Sequence, residues 1–284
     1  MKFPLSLCVF IGGVCLLSQL LSGAESAFSI PAPGLQLYSL RTQFKTDVPG
    51  TLRSIAKLGY REVETAGTYG MAPKDFSELL AHHGLKAVSG HFPFEQLEKS
   101  PDQAAEEAKT LGLIYAGCAW IPHAGAFSAA DASHAIAVFN RAGEAFAKRG
   151  IRFFYHCHGY EFKAQKEGTL MDTIMQGCDP KLVEFEMDVL WLYLPGQDPI
   201  EWMRRYPGRW TLLHVKDVKP GVARGTESTD QNNEVPLGKG QMDWRAIINV
   251  ARETKVERLI IEDESDAAPM QIGESYQYIN GLLK

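Results

Sequence analysis

The sequence predicts an α/β protein built as a single-domain (β/α)₈ TIM barrel. Short apolar runs alternate with amphipathic helical patterns along the chain, as in repeated βα units. A glycine sits between a helical pattern and the next apolar run at Gly59, Gly84, Gly112 and Gly150, which is typical of helix ends. About 260 residues follow the N-terminal segment, a length that suits eight such units. No G-x-G-x-x-G motif follows the first strand, so an open Rossmann sheet has little support.

Eight apolar, β-rich runs are the strand candidates. They are Leu35–Ser39, Glu62–Thr65, Ala87–His91, Ile114–Trp120, Ile151–His158, Val183–Asp188, Thr211–Lys216 and Arg258–Asp263. A helical pattern follows each run, and in the first of these the apolar residues are spaced three or four apart. The predicted helices are Asp47–Leu58, Asp75–His83, Asp102–Leu111, Ala130–Arg149, Leu170–Gln176, Pro199–Arg205, Trp244–Glu253 and Ile272–Leu283.

The longest irregular stretch is Val218–Gln241, which follows the seventh predicted strand. A loop of this length is usually functional or mobile, and in a barrel it lies on the same face as the active site. It is interpreted either as a lid or substrate loop or as a disordered surface insertion.

Residues 1–24 are predicted to be a secretory signal peptide, which leaves residues 28–284 for the barrel. Lys2 is followed by an apolar run from Leu5 to Leu21 and by Ser22-Gly23-Ala24, a small-residue cleavage site. We therefore expect a secreted or periplasmic protein without stable membrane association after cleavage. The alternative is an N-terminal membrane anchor, for which the apolar run is near the lower limit of length.

The formal net charge is −5, and loss of Lys2 with the signal peptide makes it −6. An acidic chain of this kind argues against a nucleic-acid partner. Cys118, Cys157 and Cys178 remain in the mature chain, and three scattered cysteines are not a disulfide framework. One bridge among them stays open, as does a homo-oligomer.

Metal-capable side chains follow four consecutive predicted strands, the fifth to the eighth. They are Glu161, Asp188, His214 and Glu262. The C-terminal ends of barrel strands converge on one face, where active sites are built. Three carboxylates and one imidazole suit a divalent metal such as Mn²⁺, Co²⁺, Zn²⁺ or Mg²⁺, with positions left open for substrate oxygens.

Further polar or aromatic residues at the strand ends are candidates for binding a substrate. They are Glu64, His91, His158, Trp191 and Lys216. Lys216 could hold an anionic oxygen or form a surface salt bridge with Asp217. Trp191 could line a sugar ring or belong to the core. His156 faces the same side of its strand as His158 and could orient a ligand or be an ordinary core histidine.

These segments together resemble the xylose-isomerase-like TIM-barrel superfamily, in particular the sugar phosphate isomerase/epimerase branch. The matching segments are Tyr155-His156-x-His158-x-x-Glu161-Phe162, Met187-Asp188-x-x-Trp191, Leu213-His214-x-Lys216-Asp217, Ile261-Glu262, Leu35-x-Leu-Tyr38-Ser-Leu-Arg41, Gly59-Tyr60-x-x-Val63-Glu64, Pro195-Gly-x-Asp198-Pro199, Gly208-Arg209 and Gly238-x-Gly240-x-x-Asp243-Trp244. The resemblance covers nearly all of the mature chain. Cys157 departs from it, because relatives often carry Asn there.

The resemblance implies a metal-dependent sugar isomerase or epimerase that acts on a small carbohydrate. Glu161 and Glu262 would transfer the proton through an enediolate while also binding the metal. The alternatives are a lyase that eliminates across a 3-keto-glycoside with the same groups, and a non-catalytic carbohydrate-binding barrel. A DNA-repair endonuclease of the same superfamily is disfavoured, because it would need a basic groove.

Overall fold

The computed structural model describes Met1 and residues 29–284. The predicted signal peptide, residues 1–24, lies outside the described residues except for Met1. The described chain forms a barrel of eight parallel strands with helices between them, which confirms the predicted fold. No described helix has the length and apolar character needed to cross a membrane.

The barrel strands follow one another around the sheet in chain order. They are β1 Gly34–Gln36, β2 Glu62–Thr65, β3 Lys86–Gly90, β4 Tyr115–Cys118, β5 Arg152–His156, β6 Val183–Asp188, β7 Trp210–Val215 and β10 Arg258–Ile261. β1 pairs with both β2 and β10, so the first and last barrel strands are neighbours. β3 meets β4 through hydrogen bonds from Ile114 N to Val88 O (2.9 Å) and from Phe92 N to Gly117 O (2.7 Å), which nearly close the barrel.

Each of the eight predicted helices is present, and three short ones accompany them. The helices are α1 Arg41–Phe44, α2 Val48–Lys57, α3 Pro73–His82, α4 Phe94–Lys99, α5 Pro101–Leu111, α6 Ala129–Ala147, α7 Leu170–Gly177, α8 Val189–Tyr193, α9 Pro199–Arg205, α10 Trp244–Glu253 and α11 Ala268–Leu283. The sequence patterns missed α1, α4 and α8 because these helices are too short to show a period.

Local sequence explains where the longer helices begin and end. Ser128 and Thr169 each form a capping box with the aspartate three residues later, so α6 and α7 start there. Gly112 has a φ of +76° and ends α5 in the left-handed conformation, as the glycine pattern predicted.

The main core lies between the outer helices and the barrel wall. It includes fully buried Trp202, Trp210 and Trp244. A separate small cluster of Tyr115, Phe154 and Leu212 is also buried. The buried acids and histidines of the barrel lie in the C-terminal halves of the strands or just after them.

The stretch after β7 is an anchored structure and not a disordered insertion. Asp217–Val218 (β8) pairs with Glu234–Val235 (β9) in an antiparallel hairpin. The Asp217 carboxylate accepts hydrogen bonds from the backbone of Gly238, Gln241 and Met242 and from the indole of Trp244 (2.9–3.2 Å). The buried side chain of Asp217 thus anchors the end of the loop. The surface salt bridge between Lys216 and Asp217, which the sequence left open, does not form.

Cys118, Cys157 and Cys178 are free and buried in the described structure. The cysteine bridge that the sequence left open is therefore not formed among these three residues.

Candidate metal centre

A cavity of ≈ 680 Å³ opens at the C-terminal face of the barrel. One part of its lining is polar and includes His91, His156, His158, His214 and Glu262. The other part is aromatic and is formed by Tyr38, Phe92, Phe94 and Trp120. A cavity of this size and mixed character suits a small polar ligand with an apolar face.

Three of the four predicted metal ligands come together at the polar end. Asp188, His214 and Glu262 each direct one ligand atom into a group whose members lie within 4.8 Å of one another. His214 Nδ1 is 3.1 Å from Glu262 Oε2 and 3.9 Å from Asp188 Oδ2. The three residues end β6, lie near the end of β7 and follow β10, so the barrel itself brings them together.

Asp188 supplies the clearest sign that a cation belongs here. Its Oδ1 accepts the backbone N–H groups of Leu190 and Trp191 (both 2.9 Å), which caps α8. Its Oδ2 is buried and has no hydrogen-bond partner. Burial raises the pKa of Asp188 to about 6. An unpartnered buried carboxylate oxygen is costly, and a bound cation would relieve that cost.

His156 stands where a fourth ligand is needed. Its Nε2 lies 3.9 Å from Asp188 Oδ2, and its ring centre lies 4.4 Å from that of His214. Burial, with a smaller contribution from the charge of His214, lowers the pKa of His156 well below its usual value. The ring is therefore neutral, which is the form that binds a metal.

Together the set offers two carboxylates and two imidazoles without a thiolate. It is formed by His156, Asp188, His214 and Glu262. Such a set suits Zn²⁺, Mn²⁺ or Co²⁺ better than a cation that prefers oxygen ligands alone. The residues present therefore fit a divalent metal.

Glu161 is not brought together with the other three predicted ligands. It lies in a 3₁₀ turn, Tyr160–Phe162, beyond the end of β5. Its carboxyl group accepts hydrogen bonds from the Tyr155 hydroxyl and from the His158 N–H (2.9 and 3.1 Å to the two oxygens). Burial raises the pKa of Glu161 to about 8, so the group favours the neutral acid that holds this turn.

A second layer of polar residues lies beneath the candidate ligands. Glu64 Oε1 is 2.6 Å from His214 Nε2, and Glu186 Oε2 is 3.0 Å from His156 Nδ1. His91 Nε2 lies between the two carboxylates, 3.1 Å from Glu64 and 3.0 Å from Glu186. Glu64 is fully buried and lies against His214, and its role in binding substrate stays a prediction.

The charged groups in this layer shift the pKa values of one another. Burial would raise the pKa of Glu64, but His91 and His214 lower it to about 2. Burial and the charge of Glu64 raise the pKa of Glu186 to about 7. Burial opposes protonation of His91 and His214, yet the neighbouring carboxylates raise the pKa of both rings.

Glu186 was missed in the sequence, although a signal for it exists. Glu184, Glu186 and Asp188 alternate along β6, so their side chains leave the strand on one side. Glu184 and Glu186 lie on the same side as the candidate ligand Asp188 in an otherwise apolar strand, and this pattern is the signal that indicates Glu186 as part of the site.

Lys216 is fully buried, although a salt bridge at the surface was one expectation. Its Nζ lies 3.2 Å from Glu262, 3.8 Å from Asp188 and in contact with Glu264. Burial would lower the pKa of Lys216, but the surrounding glutamates raise it well above the usual value. Lys216 is therefore a fixed positive charge next to the candidate ligands.

Trp191 packs against the core, and Lys216 Nζ lies 5.0 Å from the centre of its ring. It does not line the cavity in the described structure, so the packing alternative describes its position. His158 does line the cavity, with its ring 5.9 Å from that of Trp191. His158 Nδ1 is buried without a partner, and burial lowers the pKa of the ring to about 3.

Comparison with known proteins agrees with this architecture. An inosose dehydratase from Clostridium tetani is 28% identical over 139 residues, which are 45% of this chain and 46% of that protein. The chain thus matches about half the length of that relative. A crystal structure described as a sugar phosphate isomerase/epimerase from Parabacteroides distasonis has a TM-score of 0.76 at 27% identity, covering 92% of this chain and 97% of the other.

A third neighbour, the IOLI protein solved with a binding zinc atom, has a TM-score of 0.69 at 14% identity over 89% of this chain and 96% of the other, which shows a shared fold. The model of the family described as xylose isomerase-like TIM barrel matches residues 52–282, which is most of the chain. This protein therefore belongs to the xylose isomerase-like TIM barrel family.

Proposed function

We propose that the chain is a divalent-metal-dependent enzyme that removes a proton next to the carbonyl of a keto-sugar or keto-polyol and eliminates water from it. The observation that carries the proposal is the group of Asp188, His214 and Glu262, with His156 3.9 Å from Asp188, at the place where His156, His214 and Glu262 line the cavity. The name of the curated relative, inosose dehydratase, supports a reaction of this class.

The metal, when bound, would supply a Lewis acid that polarises the substrate carbonyl and makes the neighbouring C–H acidic. His156, Asp188, His214 and Glu262 would hold it. Lys216 lies behind these ligands, with Nζ 3.2 Å from Glu262 and 3.8 Å from Asp188, and its fixed positive charge would offset part of the negative charge of the two carboxylates.

His158 is the proton acceptor in this proposal. It lines the cavity, and its Nδ1 is buried with no hydrogen-bond partner in the protein. A neutral imidazole with a free ring nitrogen can take a proton from a bound substrate and return it to a leaving hydroxyl.

The position of Glu161 favours elimination over epimerisation by two glutamates. A two-base epimerase needs acceptors on opposite faces of the substrate. Glu161 does not line the cavity among the described residues, and its carboxyl group is bound by Tyr155 and His158. The support for Glu161 as metal ligand and catalytic base is thereby reduced.

The second candidate is the predicted isomerase or epimerase. It is favoured by the description of the solved structure from Parabacteroides distasonis. Both reactions begin with removal of the same proton, so the ligand group serves either one. Secretion or periplasmic location remains part of the proposal and rests on residues 1–24 alone.

An NMR time course in D₂O tests the proposal directly. The purified mature chain, loaded with Mn²⁺, Co²⁺ or Zn²⁺, is incubated with a panel of inososes, ketoses and 3-keto-glycosides. We expect loss of the proton next to the carbonyl and appearance of an unsaturated product. Deuterium incorporation without loss of water would favour the isomerase or epimerase.

Two controls test whether the activity depends on the metal group. Chelator-treated protein and the variant Asp188→Asn should both be inactive, since each lacks an intact metal group. A chain that binds no divalent ion and exchanges no substrate proton would contradict the proposal and favour a carbohydrate-binding barrel.

A further inference from the structure

The side chain of Gln36 has an orientation that the surrounding atoms determine. The backbone N–H of Tyr38 can only donate, and it lies 3.1 Å from Gln36 Oε1. The buried carboxylate of Glu64 accepts, and its Oε1 lies 2.6 Å from Gln36 Nε2. Both contacts require the same orientation of the amide, with the oxygen toward Tyr38 and the NH₂ group toward the barrel interior.

This orientation decides which nitrogen of His91 carries the proton when that ring is neutral. Gln36 Nε2 lies 3.3 Å from His91 Nδ1, so Nδ1 must accept. The proton is then on His91 Nε2, which lies 3.0 Å from Glu186 Oε2 and 3.1 Å from Glu64 Oε1. His91 therefore donates toward the two carboxylates and ties them together.

The two carboxylates in turn face one nitrogen of each candidate ligand. Glu186 Oε2 lies 3.0 Å from His156 Nδ1, and Glu64 Oε1 lies 2.6 Å from His214 Nε2. Each carboxylate accepts the N–H of its histidine. When both rings are neutral, the remaining lone pairs are on His156 Nε2 and His214 Nδ1. Both atoms lie 3.9 Å from Asp188 Oδ2, and His214 Nδ1 also lies 3.1 Å from Oε2 of Glu262, another candidate ligand.

We propose that Gln36, Glu64 and Glu186 are positioning residues that fix the tautomers of His156 and His214, so that Nε2 of the first and Nδ1 of the second face the cation. The inference rests on the proposed function, because it concerns the same metal centre. It adds that His91, although within reach of a metal, is held as a donor and does not bind one. An alternative site made of His91, His156, Glu186 and His214 would need the opposite ring nitrogens.

Histidine NMR of the Zn²⁺-loaded protein distinguishes the two arrangements. Zn²⁺ is diamagnetic, and long-range ¹H–¹⁵N spectra report which ring nitrogen carries a proton and which binds metal. We expect His156 bound through Nε2, His214 bound through Nδ1, and His91 unbound with its proton on Nε2. Zn²⁺ on Nδ1 of His156 or on a nitrogen of His91 would overturn the inference.

A matched pair of variants on one strand adds an affinity test. Glu186→Gln replaces the acceptor of His156 by a neutral amide of the same shape, and we expect Zn²⁺ to bind about 10–100-fold more weakly. Glu184→Gln lies two residues earlier on β6 and faces Arg152 at 2.7 Å, so its affinity should equal that of the wild type. Equal affinity of both variants would contradict the role of Glu186.

The variant Gln36→Leu separates positioning from folding. It leaves every ligand and both carboxylates in place, so Zn²⁺ should still bind, but the His91 signals should no longer show a single Nε2–H form. Unchanged His91 signals would contradict the role of Gln36. If Zn²⁺ does not bind the wild type, the proposed function fails; if it binds through the other nitrogens, only this inference fails.

Discussion

At the scale of single residues, the direction in which a side chain leaves the backbone decides whether it can contribute to the metal centre. The residue type alone does not decide it. Glu161 follows His156 by five residues, and in that interval the chain leaves β5 and enters a 3₁₀ turn. Alternation along a strand predicts the direction of His156, because it is still part of β5. Alternation does not apply to Glu161, which lies outside the strand, so the sequence could not reveal that the carboxyl group of Glu161 turns toward Tyr155.

Paired glutamine variants of the two predicted catalytic glutamates test this difference. Glu262→Gln should weaken metal binding by more than the about 10–100-fold expected for loss of an outer partner, since Glu262 lies against His214 and Lys216. Glu161→Gln should bind metal like the wild type. Isothermal titration of the metal-free proteins with Mn²⁺ or Zn²⁺ measures both, and equal losses would restore Glu161 as a ligand.

The raised pKa of Glu161 makes the free energy of unfolding depend on pH. The folded pKa of Glu161 is about 8, against an ordinary value of 4.5. Below pH 4.5 both states are protonated and nothing is lost. Between pH 4.5 and about 8 the unfolded chain ionises while the folded chain does not, so the free energy of unfolding falls as pH rises, by up to about 1.4 kcal/mol per pH unit.

The variant Glu161→Gln imitates the neutral acid and should lose this dependence. Its advantage in stability over the wild type should grow from pH 5 to pH 8. Urea unfolding of the metal-free proteins at several pH values gives the measurement. A constant difference across that range would show that Glu161 is ionised in the folded state.

At the scale of elements, the strands and long helices were predictable and the short connecting pieces were not. Each strand had a buried apolar run, and the patterns of α2 and α10 carry a clear apolar face. The hairpin of β8 and β9 depends instead on one side chain, Asp217, that collects backbone donors more than twenty residues away. Such a long-range anchor leaves no periodic signal in the sequence.

Asp217 should therefore be the key residue for the loop after β7. Asp217→Ala leaves several buried N–H groups and the Trp244 indole without an acceptor, and we expect a loss of at least about 3 kcal/mol in the free energy of unfolding. Limited proteolysis should cut residues 219–240 faster in this variant.

Asp230→Ala is the control for that loop. Asp230 is exposed and caps only the short turn at Asn232 (2.9 Å), so its loss should cost about 1 kcal/mol or less. Equal proteolysis rates in the two variants would show that Asp217 does not anchor the loop.

At the scale of the whole molecule, the buried charges connect folding to metal binding. The barrel gathers Glu64, Glu186, Asp188 and Glu262 around His156 and His214, the two candidate histidine ligands. Burying several acids costs free energy that neighbouring groups only partly offset, and Asp188 Oδ2 has no hydrogen-bond partner. The metal-free chain should therefore fold with reduced stability and recover it when a divalent ion binds.

Thermal unfolding with and without metal measures this coupling. At a free metal concentration 100 times the dissociation constant, the folded state gains about 2.7 kcal/mol, which corresponds to roughly 5–10 °C in Tm for a chain of this size. A chelator should reverse the gain. Asp188→Asn should keep or raise the Tm of the metal-free protein, because it removes the acid whose pKa burial raises to about 6, yet it should lose the metal-dependent shift. A variant that is less stable without metal but still gains the full shift would show that Asp188 supports the fold and does not hold the ion.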